Sequence, residues 1–240
     1  MKSLYRELFF LLSLALPGQA LANESAVGGE MQMGLSAGKP YIHVMHEGRS
    51  VKVQRVQYPE YDLKHYYAES SRECPPFCLQ PMQAAPGIVT IGEIELFEFM
   101  ETKLRDNNGL LIDVRTPEWF ERGTIPGSIH VSHTSLSKAG TPESEAALRL
   151  FGAVRRADVG TVSRKLEAMG LLRSDDKTEK WDFTQAKDLA LWCNGPEYGQ
   201  SSRAIKGLLK AGYPADKISY YRGGMQLWRL WGLTTVIPGE

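Results

Sequence analysis

Apolar and polar positions divide the chain into three regimes. From residue 87 onward, short apolar runs alternate with stretches of helical period. Residues 88–91, 110–114, 129–131, 189–192 and 218–221 read as strands, and 110–114 is apolar throughout except for Asp113. Between them, 92–104 is predicted helical, with Ile94, Leu96, Phe97 and Met100 on one face. Residues 117–122 form a short helix with Pro117 in its first turn. Residues 146–154 and 162–169 are amphipathic helices inside a long polar insertion, 135–188, whose 175–180 part is a charged loop. After Cys193, the spacing of Ala204, Ile205, Leu208 and Leu209 predicts a helix capped by Ser201 or Ser202, and 225–231 predicts the last one. Such alternation implies an α/β domain with a mostly parallel central sheet and helices on both faces.

Upstream the pattern changes. Residues 41–45 and 50–56 are β-rich runs around His46, Glu47, Gly48 and Arg49, which predicts a hairpin. In the second run Val51, Val53 and Arg55 alternate with Lys52, Gln54 and Val56, so one face should be more buried. Residues 58–67 are polar and aromatic without a period, and Cys74-Pro75-Pro76-Phe77-Cys78 excludes helix. Within the 23–86 extension, the part from residue 40 to about 86 is too small for a large core of its own, so it is expected to pack on the 87–240 domain as a small β-containing extension.

The first residues follow a third rule. Lys2 and Arg6 precede an apolar run over 8–16, Pro17 and Gly18 break it, and Ala20-Leu21-Ala22 offers small residues where a signal peptidase reads. Residues 1–22 therefore read as a signal peptide, too short to span a membrane, with a loose leader over 23–39. The expectation is an exported protein, periplasmic in a Gram-negative host, with no membrane span after cleavage. The 28 basic and 28 acidic residues balance, which argues against nucleic acid as a partner. Three cysteines in an oxidising compartment allow one disulfide and one free thiol. Cys74 and Cys78 read as a structural staple, a redox pair or a soft-metal site.

Chemistry concentrates at Cys193. It stands at the tip of a strand, before a loop with Gly195, Pro196 and Gly199 that leads to a helix start. Parallel sheets collect chemistry at that edge, and helix-start amides favour an anion such as a thiolate. His130 and His133 lie near the same edge; histidines so placed more often bond nearby backbone than catalyse. His43 and His46 lack partners for a metal site. Asp113 is expected to cap the turn after its strand, Arg115 to pair with a carboxylate such as Glu118, and Trp119, Trp228 and Trp231 to pack in the core or at its edge.

Four pieces in order resemble the rhodanese-like domain family. They are Leu111-Ile112-Asp113-Val114-Arg115 with Pro117-Glu118-Trp119-Phe120, then Gly123-Thr124-Ile125-Pro126-Gly127-Ser128-Ile129, then Trp192-Cys193 with its loop and helix, and Tyr220-Tyr221-Arg222-Gly223-Gly224-Met225 with Trp228. The resemblance implies a sulfurtransferase in which Cys193 carries sulfane sulfur as a persulfide. It implies a small sulfur-containing anion or persulfide as donor, and a thiol, including a thiol-bearing protein, as acceptor. No cofactor and no metal are implied. The main-chain amides of 194–202 would cradle the bound anion, which makes Asn194, Gly195, Glu197, Tyr198, Gly199, Gln200, Ser201 and Ser202 the expected binding loop.

The chain departs from that pattern in ways that define alternatives. The loop is about two residues longer, it contains Glu197, and no Lys or Arg occurs between Cys193 and Arg203. A carboxylate aimed inward would repel an anionic donor. Thr124 stands where the family usually has His. Glu197 and the missing loop charge favour, as the competing class, a sulfur-carrying or redox-sensing module that uses the 135–188 insertion for docking, and the longer loop raises a phosphatase reading. A cysteine phosphatase comes third, because the position for its clamping arginine is Gly199.

Overall fold

The computed structural model describes residues 33–69, 71–156, 160–171 and 177–240. The signal peptide, most of the leader and the start of the charged loop lie outside the described residues. Residues from Met31 onward form one unit, and no described helix is long and apolar enough to cross a membrane.

A hairpin comes first, β1 (Tyr41–His46) against β2 (Arg49–Gln54), antiparallel. The sheet is built from β3 (Val89–Ile91), β4 (Gly109–Asp113), β5 (Ser128–His130), β8 (Asp188–Trp192) and β9 (Ile218–Tyr221), in the order β3-β9-β8-β4-β5. Every pairing in it is parallel. The helices are α1 (Glu93–Phe99), α2 (Pro117–Glu121), α3 (His133–Ser137), α4 (Pro142–Leu150), α5 (Thr161–Ala168), α6 (Gln200–Ala211) and α7 (Gly224–Leu230). Two further short strands, β6 (Val154–Arg155) and β7 (Trp181–Asp182), pair antiparallel within the insertion.

Strand β8 shows why the sheet needs helices on both faces. Its side chains alternate between two cores, as the pleat requires. Leu189 and Leu191 pack with Leu136 of α3, Leu148 of α4 and Ile205 and Leu208 of α6. Ala190 and Trp192 pack on the other side with Leu96 and Phe97 of α1 and Met225 and Trp228 of α7. Complete burial of a leucine of this kind stabilises by about 1.5–3 kcal/mol. That central position brings Cys193, the next residue, to the carboxyl edge of the sheet.

The extension enters the second core directly. Ile42, Val44 and Val53 pack with Leu111, Ala190 and Trp192, so the hairpin is a structural layer of the domain. The clean alternation lies on β1, where Ile42, Val44 and His46 are buried. After the hairpin, Tyr61 Oη donates to the Arg229 carbonyl at 2.7 Å, and a single 3-10 turn forms over His65–Ala68.

Several expectations are corrected. The helix placed over 92–104 is α1 followed by a π-helical turn, Met100–Leu104, and Ile94 is exposed while Phe99 is buried. The helix expected at 146–154 is α4, because Thr141 caps it by accepting from Ser144 N–H at 3.2 Å, with Pro142 opening the first turn. Ser201 and Ser202 do not cap α6: Gly199 is the N-cap, and both serines are buried in the first turn. Arg115 pairs with Asp113, not Glu118. Trp231 sits at the edge and not in the core, 43% exposed beside the Arg55 guanidinium.

Candidate active site

The Cys193 loop is suspended between two scaffolds. On one side is the first turn of α7, where Met225 N–H donates to the Cys193 carbonyl and Gln226 N–H to the Asn194 carbonyl, both at 2.9 Å. Because peptides are trans, the Asn194 N–H then points away from α7. Gly224 permits this approach. Its φ is +56°, and a Cβ there would sit 2.2 Å from the Cys193 carbonyl oxygen.

On the other side is a fully buried ion pair. Arg115 and Asp113 have no exposed side-chain surface and meet at 2.6 Å. Asp113 also accepts from the Arg115 backbone N–H at 3.1 Å and from Thr124 Oγ1 at 3.0 Å. Thr124 thus completes the carboxylate's shell, and Asp113 does cap its turn. Arg115 donates onward to the Gly123 carbonyl at 2.7 Å and reaches Asn194 Oδ1 at 3.4 Å, next to the cysteine. His130 and His133 bond main chain, at the Arg115 and Val114 carbonyls. Burial, and then the nearby Arg203, hold the His133 imidazole below its usual pKa.

The loop itself closes over the sulfur. Tyr198 N–H donates to the Gly195 carbonyl at 3.0 Å, with Pro196 favoured by its fixed φ just inside that turn. The turn carries the Tyr198 carbonyl inward, where it accepts from the Cys193 thiol at 3.4 Å. Cys193 is 1% exposed. The expected cradle of inward amides is therefore corrected at its far side, where a carbonyl oxygen faces the sulfur.

Glu197 does not point at the thiol. It pairs with Arg72, and both side chains are nearly buried. Arg72 also donates to the Tyr66 carbonyl and stacks over the Tyr66 ring at 4.0 Å. Burial pulls the Arg72 guanidinium down, and its bond to Glu197 with the neighbouring Tyr198 holds it above its usual pKa. The cation missing from the loop sequence is thus supplied by the extension, but it is spent on Glu197. Tyr198 is fixed by a hydrogen bond to Tyr66 Oη and an edge contact with Phe77 at 5.5 Å. Burial first, and that bond second, push the Tyr198 phenol well above its usual range.

Outside this closed loop lies a cleft of about 540 Å³. Asn194, Glu197, Tyr198, Gly199, Gln200 and Ser202 line it from the expected binding loop, whereas Gly195 lies against Gln226 and Ser201 is wholly buried. Tyr66, Phe77 and Gln80 of the extension and Trp119 of α2 form the opposing wall. Arg203 and Lys206 stand at the rim, and neither has an ion-pair partner among the described residues. Cys74 and Cys78 are joined by a disulfide, Cα atoms 4.7 Å apart, and Pro76 between them lines the cleft. No cluster of three His, Cys, Asp or Glu side chains suited to a metal occurs among the described residues. Trp119 and Phe77 fall within stretches the sequence marks, but Tyr66 and Gln80 carry no signal, since 58–67 has no period.

The family model for the rhodanese-like domain matches residues 98–230, more than half of the chain. The chain belongs to the rhodanese-like domain family. No curated protein matches it. Solved structures similar to this rhodanese-like chain include a protein of unknown function from Rhodopseudomonas palustris, described as a possible tyrosine phosphatase. It is 18% identical over 61% of this chain and 83% of its own, with a TM-score of 0.38. A rhodanese-related protein from Thermoplasma volcanium is 19% identical over 62% and 98%, at 0.34. The human single-domain sulfurtransferase TSTD1 is 18% identical over 58% and 94%, at 0.33.

Proposed function

We propose that this rhodanese-like protein is a sulfurtransferase that carries sulfane sulfur on Cys193. One observation supports the reading above all others. The free cysteine ends the central strand of the sheet and heads a loop that runs into the 12-residue helix α6 beneath a polar cleft. The helix dipole and first-turn amides favour negative charge there. In the reaction the loop opens, the Cys193 proton passes to solvent and the thiolate attacks the outer sulfur of a donor such as thiosulfate. A new S–S bond forms on the protein, the donor S–S bond breaks, and sulfite leaves with the electron pair. An acceptor thiolate then attacks the terminal sulfur and Cys193 is released as thiolate. Arg203 and Lys206 draw the anion to the rim. An exported setting belongs to the same reading, since a persisting Cys74–Cys78 disulfide suits an oxidising compartment.

A second reading is favoured by the closed loop. A thiol that donates to a carbonyl and has almost no exposed surface suits a carrier or sensor that opens for a thiol-bearing protein partner. The phosphatase reading lacks its clamp, because Gly199 holds that position and the Arg72 guanidinium that reaches the loop is bound to Glu197. Thiocyanate formation from thiosulfate and cyanide separates the readings. The enzyme turns over and Cys193→Ser does not. Turnover in Cys193→Ser, or hydrolysis of an aryl phosphate by the parent alone, would overturn the proposal.

A further inference from the structure

We infer that the Cys74–Cys78 disulfide is a redox latch that keeps Cys193 covered and opens when a dithiol reduces it. The inference rests on the foregoing reading only in taking Cys193 as the working thiol. Pro196, Glu197 and Tyr198, the outer part of the closed loop, are each held by a residue within or close beside this disulfide. Just before it, Arg72 grips Glu197 and the Tyr66 carbonyl. Inside it, the Phe77 ring packs on Tyr198. Just after it, Gln80 N–H donates to the Pro196 carbonyl at 2.8 Å, and the Gln80 side chain turns back to the Cys78 carbonyl, also at 2.8 Å. Pro196, Glu197 and Tyr198 are the residues whose turn places a carbonyl on the Cys193 sulfur.

The brace is reachable. Cys74 is exposed and Cys78 half-buried, at the wall of the cleft rather than in a core. A dithiol thiolate attacks one of the two sulfurs, the Cys74–Cys78 bond breaks, and the departing thiolate takes a proton. The second thiol of the reductant then resolves the mixed disulfide. The protein gains two thiols and the reductant leaves as a disulfide, so two electrons and two protons are transferred. Without the cross-link, the Arg72 and Gln80 anchors are no longer held at a fixed separation. The closed loop then loses roughly tenfold or more in population. The Tyr198 peptide can turn, and its carbonyl leaves the sulfur.

The test is the alkylation rate of Cys193, read by peptide mass, in the oxidised protein and after treatment with a dithiol. Reduction is expected to raise the rate at Cys193 by about tenfold or more. Cys74→Ser with Cys78→Ser is expected to react at the fast rate whether or not a dithiol is present. Arg72→Gln, with the disulfide intact, is expected to react faster than the parent. Equal rates in oxidised and reduced protein overturn the inference. So does a rise accompanied by loss of near-UV dichroism, which would mark general unfolding instead of loop opening. Should the double variant fail to fold, hydrogen exchange at residues 194–200 with and without dithiol decides the matter, and unchanged protection refutes the latch. Because alkylation needs no sulfur donor, failure of the latch and failure of sulfur transfer are read separately.

Discussion

Asp113→Asn removes one negative charge from the most deeply buried ion pair among the described residues. Both partners have 0% side-chain exposure, so the Arg115 guanidinium cannot turn to water for compensation. The carboxylate accepts from Arg115 Nη2 at 2.6 Å, Arg115 Nε at 2.9 Å and Thr124 Oγ1 at 3.0 Å. An asparagine keeps one acceptor oxygen and turns an amide N–H₂ toward the Arg115 N–H donors, where only the Thr124 hydroxyl could accept from it. Breaking a buried pair in this way costs about 3–5 kcal/mol, a large share of the about 5–15 kcal/mol that holds a typical domain together. At about 2–4 °C per kcal/mol, the melting temperature falls by roughly 6–20 °C. Arg115 also reaches Asn194, so the cysteine loop loosens with it. The assay is calorimetry of the parent, Asp113→Asn, Arg115→Met and the double variant. The double variant is expected to lose less than the sum of the singles, because neither charge is then left alone. An Asp113→Asn protein that melts within about 2 °C of the parent would refute the reasoning, since that is the effect of an ordinary surface change.

Other expectations follow from single contacts. Gly224→Ala forces a side chain into a left-handed position and onto the Cys193 carbonyl, so it should cost at least about 2 kcal/mol in a denaturant titration and loosen the loop. Gly207→Ala should also destabilise by about 1–3 kcal/mol, because its Cβ would fall 2.0 Å from the Leu136 carbonyl where α6 crosses α3. His46 and His133 are held below their usual pKa by burial first, so the folded chain binds fewer protons there than the unfolded chain. Their contribution is complete above the unfolded value of 6.5 and is lost as pH falls through the lowered folded values. Melting temperature should therefore drop between about pH 7 and pH 5, and less steeply in His133→Asn.

The sheet was legible because burial on both faces leaves a plain signature. Residues 189–192 form a continuous apolar run and 110–114 one broken only by Asp113, and the turn residues between elements mark where each must stop. The helix expected at 146–154 shows the opposite case: capping by Thr141 and Pro142 outweighs the apolar spacing that suggested a later start. The miniature ladder of Val154–Arg155 with Trp181–Asp182 carries too few residues for any period to register. Cys193 and its loop were readable from residue types at a strand tip. What Glu197 does was not, because its partner Arg72 lies 125 residues away in a segment without a pattern. Pairing over such a distance is a property of the fold, and only the folded chain displays it. Arg115 takes Asp113 and not Glu118 because folding seals Asp113 from water beside it and leaves Glu118 exposed.

The central claim is that Cys193 accepts a sulfur atom, and the mass of the intact protein tests it most directly. The reduced protein is incubated with thiosulfate, freed of excess donor and trapped with an alkylating agent. The account predicts a gain of one sulfur that maps to the Cys193 peptide and is absent in Cys193→Ser. A protein that stays unlabelled with thiosulfate and with an organic persulfide, while Cys193 still alkylates, would contradict it.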